Sequence, residues 1–320
     1  MHHLVIGEGQ IGREIIDQAR DRGDAVTVLR RSEAAPAPGV RRIRGDVLDP
    51  AALGRAIEDA DAVHAAFHAP YDSRVWRREL PPRELAVLDA AARHDAPVIF
   101  PESMYGFQGE AARLAEGAAP SPRDAKGEIR VQLLETRRRH AARTASIVAS
   151  DLIGPTAVGT GSAVACSLLM EQQAAGRRGL ILGDPDAPHT LTFIPDLAAA
   201  MLHAARYPER LPADAILHAP SAPARSQREL ARAAADLLEV PFRPPLTIPR
   251  LVLRALSPFH PLARELSGIA GIWYGPCRLE PGLLTTQEQL VPTPWEEALA
   301  RTVHAMRHPS PRPTTTSPGR

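Results

Sequence analysis

Three observations predict an α/β fold built on a doubly wound parallel sheet. Short apolar runs alternate with amphipathic helical stretches through the first half of the chain. A glycine-rich turn, Gly7-Glu8-Gly9-Gln10-Ile11-Gly12, directly follows the first run and opens a helix. The runs are spaced as strand–helix units, which need right-handed crossovers.

Taken in order, His3–Ile6 reads as the first strand, with a helix to about Arg22 after the turn. Ala25–Leu29 is the second strand, and Arg42-Ile43-Arg44 leads into Gly45-Asp46-Val47 as a short third. A helix from about Pro50 to Asp59 precedes the fourth strand, Ala62–Ala66, and a long helix covers about Arg83 to His94. Pro97–Phe100 is the fifth strand, a helix carries Lys126 through to about Ala142, and Ala145–Ala149 is the sixth.

Beyond about residue 160 the rhythm changes. Helices are expected near Ala163–Ala175, from Asp196 to about Ala205, at Gln227–Leu238, near Arg250–Leu256 and near Pro294–Met306. Strands are expected at Leu180–Leu182, Thr190–Ile194 and Ala215–His218. We therefore expect a core over 1–160 that also uses 185–220, a smaller C-terminal lobe over 161–307, and a disordered Pro/Ser/Thr-rich tail over 308–320.

Composition narrows the function classes. The chain has 320 residues, 44% of them hydrophobic, with a formal net charge of +1, which gives no electrostatic case for a nucleic-acid partner. No apolar run approaches a membrane span, and the N-terminus has no leader-like segment. Cys166 and Cys277 lie far apart, and the histidines show no metal-ligand spacing, so neither a disulfide framework nor a metal site is expected. A reducing cytoplasm fits. Of the 38 basic residues a single one, Lys126, is lysine, and asparagine is absent. Where arginine is used almost everywhere, a retained lysine points to a need for a compact ammonium.

The glycine turn carries the strongest chemistry. Gly7 makes the tight bend, Gly9 lets backbone approach a pyrophosphate, and Gly12 permits close helix–strand packing, with Gln10 and Ile11 at the helix start facing the anion. The end of the second strand then selects the cofactor. It reads Leu29-Arg30-Arg31-Ser32, two cations where an NAD-selecting fold carries an acid, so NADP(H) is favoured over NAD(H). Arg31 also reads as a solvated surface residue. Asp46 is a candidate for the adenine amino group, with Val47 on the ring, or equally a turn aspartate.

GEGQIG, then Gly45-Asp46-Val47, the small-residue end His64-Ala65-Ala66, Tyr105-Gly106, a lysine on the next helix and Asp151-Leu152-Ile153-Gly154-Pro155 occur in order. With Thr192-Phe193-Ile194-Pro195-Asp196-Leu197-Ala198, they make the chain resemble an atypical extended short-chain dehydrogenase/reductase of the NAD-dependent epimerase/dehydratase family. The resemblance spans nearly the whole length. It implies a Rossmann core, a C-terminal substrate lobe and nicotinamide chemistry at the strand ends, with Ala65 and Ala66 beside the cofactor. It also implies a homodimer. Lys126 matches the lysine of that family's Y-x-x-x-K, which binds the nicotinamide ribose and lowers the tyrosine pKa; the tyrosine position is Pro122.

The proton donor must then come from elsewhere. Ser103 and Tyr105, just past the fifth strand, are the catalytic candidates beside Lys126; Tyr71 is a pocket-wall candidate. Tyr105 also reads as an inward-packed structural residue and Ser103 as a turn serine. Glu102 is expected to be a solvated loop carboxylate and Asp196 a helix N-cap. Trp273, Tyr274 and Cys277 fit either a pocket lining or core packing. The expected function is an NADP(H)-dependent oxidoreductase or epimerase-like enzyme acting on a small carbonyl or alcohol. The rival is a non-catalytic, NmrA-like NADP sensor; a nucleotide-sugar enzyme ranks third, because no sugar-diphosphate clamp is evident in the second half.

Overall fold

The computed structural model describes residues 1–34, 36–159 and 163–308. β1 (His2–Ile6), α1 (Gln10–Asp21), β2 (Ala25–Arg30) and β3 (Val40–Arg44) open the chain. Then come α2 (Pro50–Ile57), β4 (Ala62–His64), α3 (Ser73–Arg93), β5 (Val98–Ser103), a 3-10 segment (Met104–Arg113), α4 (Ala125–Arg139) and β6 (Thr144–Ala149). β7 (Asp151–Ile153), a π-helical turn (Cys166–Met170), α5 (Glu171–Ala174), β8 (Leu180–Leu182), β9 (Pro188–His189) and β10 (Leu191–Phe193) follow. The second half continues with α6 (Ile194–Arg206), β11 (Ala215–His218), β12 (Arg225–Ser226), α7 (Gln227–Leu238) and β13 (Leu246–Ile248). It ends with α8 (Arg250–Leu256), α9 (Pro261–Gly268), α10 (Ala270–Trp273), α11 (Leu283–Thr286) and α12 (Trp295–Arg307).

The central sheet has seven parallel strands in the order β11–β6–β5–β4–β1–β2–β3. From β1 the chain winds outward through β2 and β3, then returns to wind the other way through β4, β5 and β6. That reversal opens a crevice beyond the carboxyl ends of β1 and β4, where open α/β sheets hold ligands. One face is covered by α1 and α6, through Ile15, Ile16, Leu197 and Met201. The other is covered by α2 and α3, through Leu53, Ile57, Val87 and Leu88. Both faces are buried, so the strands read as continuous apolar runs.

Four local expectations need correction. The long helix begins at Ser73, ten residues before Arg83, with Asp72 accepting from the Arg74 amide at 2.8 Å. Pro81 and Pro82 read as a helix boundary, yet buried Trp76 and Leu80 hold the earlier turns against the core. The third strand stops at Arg44; Gly45-Asp46-Val47 lies beyond it, in a turn where Asp49 N donates to Asp46 O at 3.0 Å. Asp196 is not a cap. It sits inside the first turn of α6 and accepts from the Thr293 amide at 2.8 Å and hydroxyl at 2.7 Å, tying the C-terminal segment to the core. Near Ala163–Ala175 a π-helical turn interrupts the expected helix. Most of the expected tail, 309–320, lies outside the described residues.

Glu102 is also corrected, because it is buried rather than solvated. Arg137 of α4 donates to both oxygens of Glu84 on α3, at 2.7 and 2.8 Å. Its other amine donates to Glu102 of β5 at 2.9 Å and to Ser146 of β6 at 3.0 Å. One guanidinium thus joins two helices and two strands beneath the crevice. Arg137→Ala would leave two carboxylates buried without their partner. It is expected to lower the unfolding free energy by about 3–5 kcal/mol, as measured by chemical denaturation.

Candidate functional site

The crevice is a cleft of about 830 Å³ that runs from the end of β2 to α10. Its first end is the glycine turn. Gly7 has φ +97°, and a Cβ there would stand 2.9 Å from the Ala66 carbonyl oxygen. A Cβ on Gly12 would stand 2.0 Å from the Gly7 oxygen, so α1 packs against the turn only because that residue has no side chain. A Cβ on Gly9 would meet nothing within 4 Å, and Gly9 is the N-cap of α1 with no side chain capping it. An open backbone face therefore meets the positive end of a helix, which suits a pyrophosphate.

Gly7, Gly9, Gln10, Ile11, Arg30, Arg31, Asp46, Val47 and Ala66 line the cleft, as do Ser103 and Tyr105. Gly12 lies behind the lining, where it packs α1 on the turn. Ala65 is buried behind the wall. Glu8, unremarked in the sequence, sits between two cations. It accepts from Arg42 at 2.8 and 3.2 Å and from Arg30 at 2.5 Å, while Arg30 also reaches the Ser32 hydroxyl at 2.9 Å. Burial works against the carboxylate, but the bonds from Arg42 and Arg30 outweigh it and hold Glu8 below its ordinary pKa.

Lys126 stands elsewhere than the sequence implied, and it is absent from the cleft lining. It is 1% exposed, and its Nζ lies 2.5 Å from the Glu265 carboxylate of α9 and 3.1 Å from the Glu265 carbonyl oxygen. The same ammonium is 4.3 Å from the centroid of the Tyr71 ring. Burial lowers its pKa against the opposing pull of Glu265. The Ser73 amide adds a bond to Glu265 at 3.2 Å, and Arg264 pairs with Asp72 at 3.2 Å. Lys126 thus fastens the C-terminal lobe to the starts of α3 and α4.

One turn further along α4, Arg130 does line the cleft. Its Nη2 donates to His68 Nε2 at 2.8 Å, and His68 Nδ1 faces the Ala69 carbonyl oxygen at 2.7 Å. Those two bonds fix a neutral imidazole with its proton on Nδ1. Burial, then the Arg130 cation, push the imidazole pKa down to about 4. Sequence reasoning missed Arg130, although its spacing from Lys126 places it on the same helical face. Trp76 was missed because its helix was started too late.

The Tyr105 hydroxyl is 3.1 Å from that of Tyr71. Burial raises both phenols above their ordinary pKa, so each holds its proton at neutral pH. Trp273 lines the cleft from α10, whereas Tyr274 donates to the Ile248 carbonyl at 2.9 Å and Cys277 is buried. Asp151, at the start of β7, is a further lining residue whose two oxygens each accept a backbone amide at 2.9 Å, from Val164 and Ala165. Burial nevertheless pushes its pKa up to about 7. Among the described residues no cluster of three potential metal ligands occurs, and no helix is long and apolar enough to cross a membrane.

A family model described as NAD(P)H-binding matches residues 7–126. No curated protein matches the chain by sequence. Solved structures match nearly end to end. UDP-glucose 4-epimerase of Thermotoga maritima, with UDP-glucose, superposes at TM-score 0.74 and 16% identity, covering 96% of this chain and 99% of that one. The Thermus thermophilus UDP-glucose 4-epimerase complex with NAD gives 0.73 and 18%, covering 97% and 100%. The dTDP-glucose 4,6-dehydratase of Bacillus anthracis, in complex with NAD, gives 0.72 and 12%, covering 97% of each chain.

Asp151 supplies a pH test. Its folded pKa lies above the unfolded value of 3.8, so the fold favours the protonated carboxyl. That contribution is complete below about 3.8 and is lost as pH rises through about 7. Denaturation measured across this window is expected to show stability falling with pH, and Asp151→Asn is expected to flatten that part of the profile. Residues 7–126 thus match an NAD(P)H-binding family model, and the chain as a whole shares the fold of the UDP-glucose 4-epimerase structures.

Proposed function

We propose that the protein is an NADP(H)-dependent oxidoreductase acting on a small carbonyl or alcohol compound. The observation that carries this reading is the placement of two hydroxyls, on Ser103 and Tyr105, in the same cleft as the glycine cradle. A bound nicotinamide dinucleotide would supply or accept hydride. Its diphosphate would lie on the backbone of residues 7–11 at the start of α1. The adenosine end would lie over Arg30, Arg31 and Ser32, with Asp46 and Val47 beside the base. Two cations at the end of β2 suit a 2′-phosphate; Glu8 orients Arg30, and its one negative charge is outnumbered by Arg30, Arg31 and Arg42.

Ser103 would hold the substrate oxygen by a hydrogen bond while Tyr105 exchanges a proton with it. In carbonyl reduction the Tyr105 phenol, which carries its proton at neutral pH, would be the acid. Lys126 acts as a positioning residue in this scheme. Its ammonium sits under the Tyr71 ring, and Tyr71 bonds the Tyr105 hydroxyl.

A second reading, a dinucleotide sensor without turnover, draws support from the same residues. No ammonium faces the Tyr105 hydroxyl to ease its ionisation, since Lys126 is engaged by Glu265. Two measurements separate them. NADPH is expected to bind at least about tenfold tighter than NADH, a preference of about 1.4 kcal/mol; equal or absent binding removes the cofactor assignment. With a panel of small aldehydes and ketones, Tyr105→Phe is expected to lower turnover by about 100-fold or more while leaving NADPH affinity unchanged. Tight NADPH binding with no turnover across the panel would favour the sensor.

A further inference from the structure

The cleft's two ends differ in chemistry. Arg30 and Arg31 lie at the β2 end, and Arg13 lines the cleft from the first turn of α1. Arg83 belongs there too, because it pairs with Glu79 at 2.9 Å and Glu79 feels the Arg31 charge. At the opposite end the described lining offers one cation, Arg130, set among rings. Its Cζ is 4.8 Å from the Trp76 ring centroid. Trp76 stacks on Tyr105 at 6.1 Å and meets Tyr71 edge-on at 5.7 Å. Phe67, Ile272 and Trp273 complete the wall.

Arg130 is 6% exposed, and its Nε is buried without a hydrogen bond. The Glu102 carboxylate stands 3.5 Å from that nitrogen, and Glu102 is already bonded by Arg137. His68, bonded to Nη2, is neutral and takes no charge from the guanidinium. Such a cation, lining the cleft, rigidly held through its Nε and Nη2 sides and in contact with aromatic faces, suits an oxygen on which negative charge develops. The lobe contributes Ile272 and Trp273 to the described lining, neither of which can pair with a diphosphate.

We propose that the inner end of the cleft is a chamber for a ring-bearing carbonyl compound free of phosphate, whose reacting oxygen accepts from Arg130. This rests on the oxidoreductase reading and names its substrate class. Nucleotide sugars, such as the UDP-glucose of the Thermotoga maritima structure, are excluded from the chamber by its aromatic walls and the single cation of its described lining. Arg130 would then be a catalytic residue, and Trp76 and Glu102 would position it.

Benzoate, which joins a ring to an anionic oxygen, probes the chamber without cofactor or turnover. Titration followed by calorimetry and tryptophan fluorescence is expected to show benzoate binding to the full chain and acetate binding at least tenfold more weakly. Arg130→Gln is expected to weaken benzoate at least tenfold, with Arg130→Lys intermediate. Millimolar UDP-glucose is expected to leave the benzoate isotherm unshifted. Equal benzoate affinity in wild type and Arg130→Gln, equal affinity for acetate, or competitive displacement by UDP-glucose would each overturn the proposal. Should Arg130→Gln fail to fold, the Arg130→Lys comparison and the UDP-glucose competition decide the matter. An NADPH titration that fails while benzoate binds as expected would sink the oxidoreductase reading and leave the chamber standing.

Discussion

The closest constraint on this fold is the approach of backbone to backbone between the turn after β1 and the strand end after β4. Gly7, Gly12 and Ala66 meet there at distances that no larger side chain would allow. That contact sets α1 on the sheet, opens the crevice at the point where the winding reverses, and leaves the helix start facing it. Everything placed on the carboxyl ends of β4, β5 and β6 is thereby aimed at one cleft. The dinucleotide cradle and the reacting end are two consequences of a single packing condition.

A second constraint acts beneath the cleft floor. Glu84, Arg137, Glu102 and Arg130 form an alternating buried series in which each carboxylate meets a guanidinium. Arg137 also lies 3.9 Å from the Phe100 ring centroid, so its face as well as its edge is used. The series is neutral as a whole, which keeps desolvation tolerable, while its last member still presents a cation to the cleft. Such networks cost stability when a partner is removed, and they fix orientation. Here the orientation fixed is that of the end of β5, where Ser103 and Tyr105 begin.

Most of this fold was legible because apolar periodicity and the glycine spacing are local signals. Five of the six strands of the first half, and Ala215–His218 at the sheet edge, were each readable from four or five residues, whereas the third, the polar edge strand Val40–Arg44, was expected too far along the chain. What failed was non-local. The start of α3 was hidden because a proline pair reads as a boundary, whereas buried Trp76 keeps the helix intact through it. Glu102 looked solvated because its partners, Arg137 and Arg130, lie 35 and 28 positions away and a carboxylate's burial depends on what folds onto it. Asp196 looked like a cap until Thr293 arrived from almost a hundred residues on. The cradle, by contrast, needs no distant partner to declare itself.

The retained lysine joins these strands of argument. At position 126 the ammonium meets protein groups on every side that the structure describes. Nζ must fit between the Glu265 carboxylate, its carbonyl oxygen and the face of Tyr71, in a space with almost no solvent contact. A planar guanidinium in the same place would carry more donors than the three acceptors can satisfy, and its width would press on the aromatic face. Arg130, one turn away, faces the roomier cleft, where a guanidinium's breadth lets it bond His68, lie over Trp76 and still pair with Glu102. Helix α4 thus separates two cationic tasks along one face: the narrow one locks the lobe to the core, and the broad one serves the cleft. A chain that accepts arginine almost everywhere shows through its single exception which of the two spaces is too tight for it.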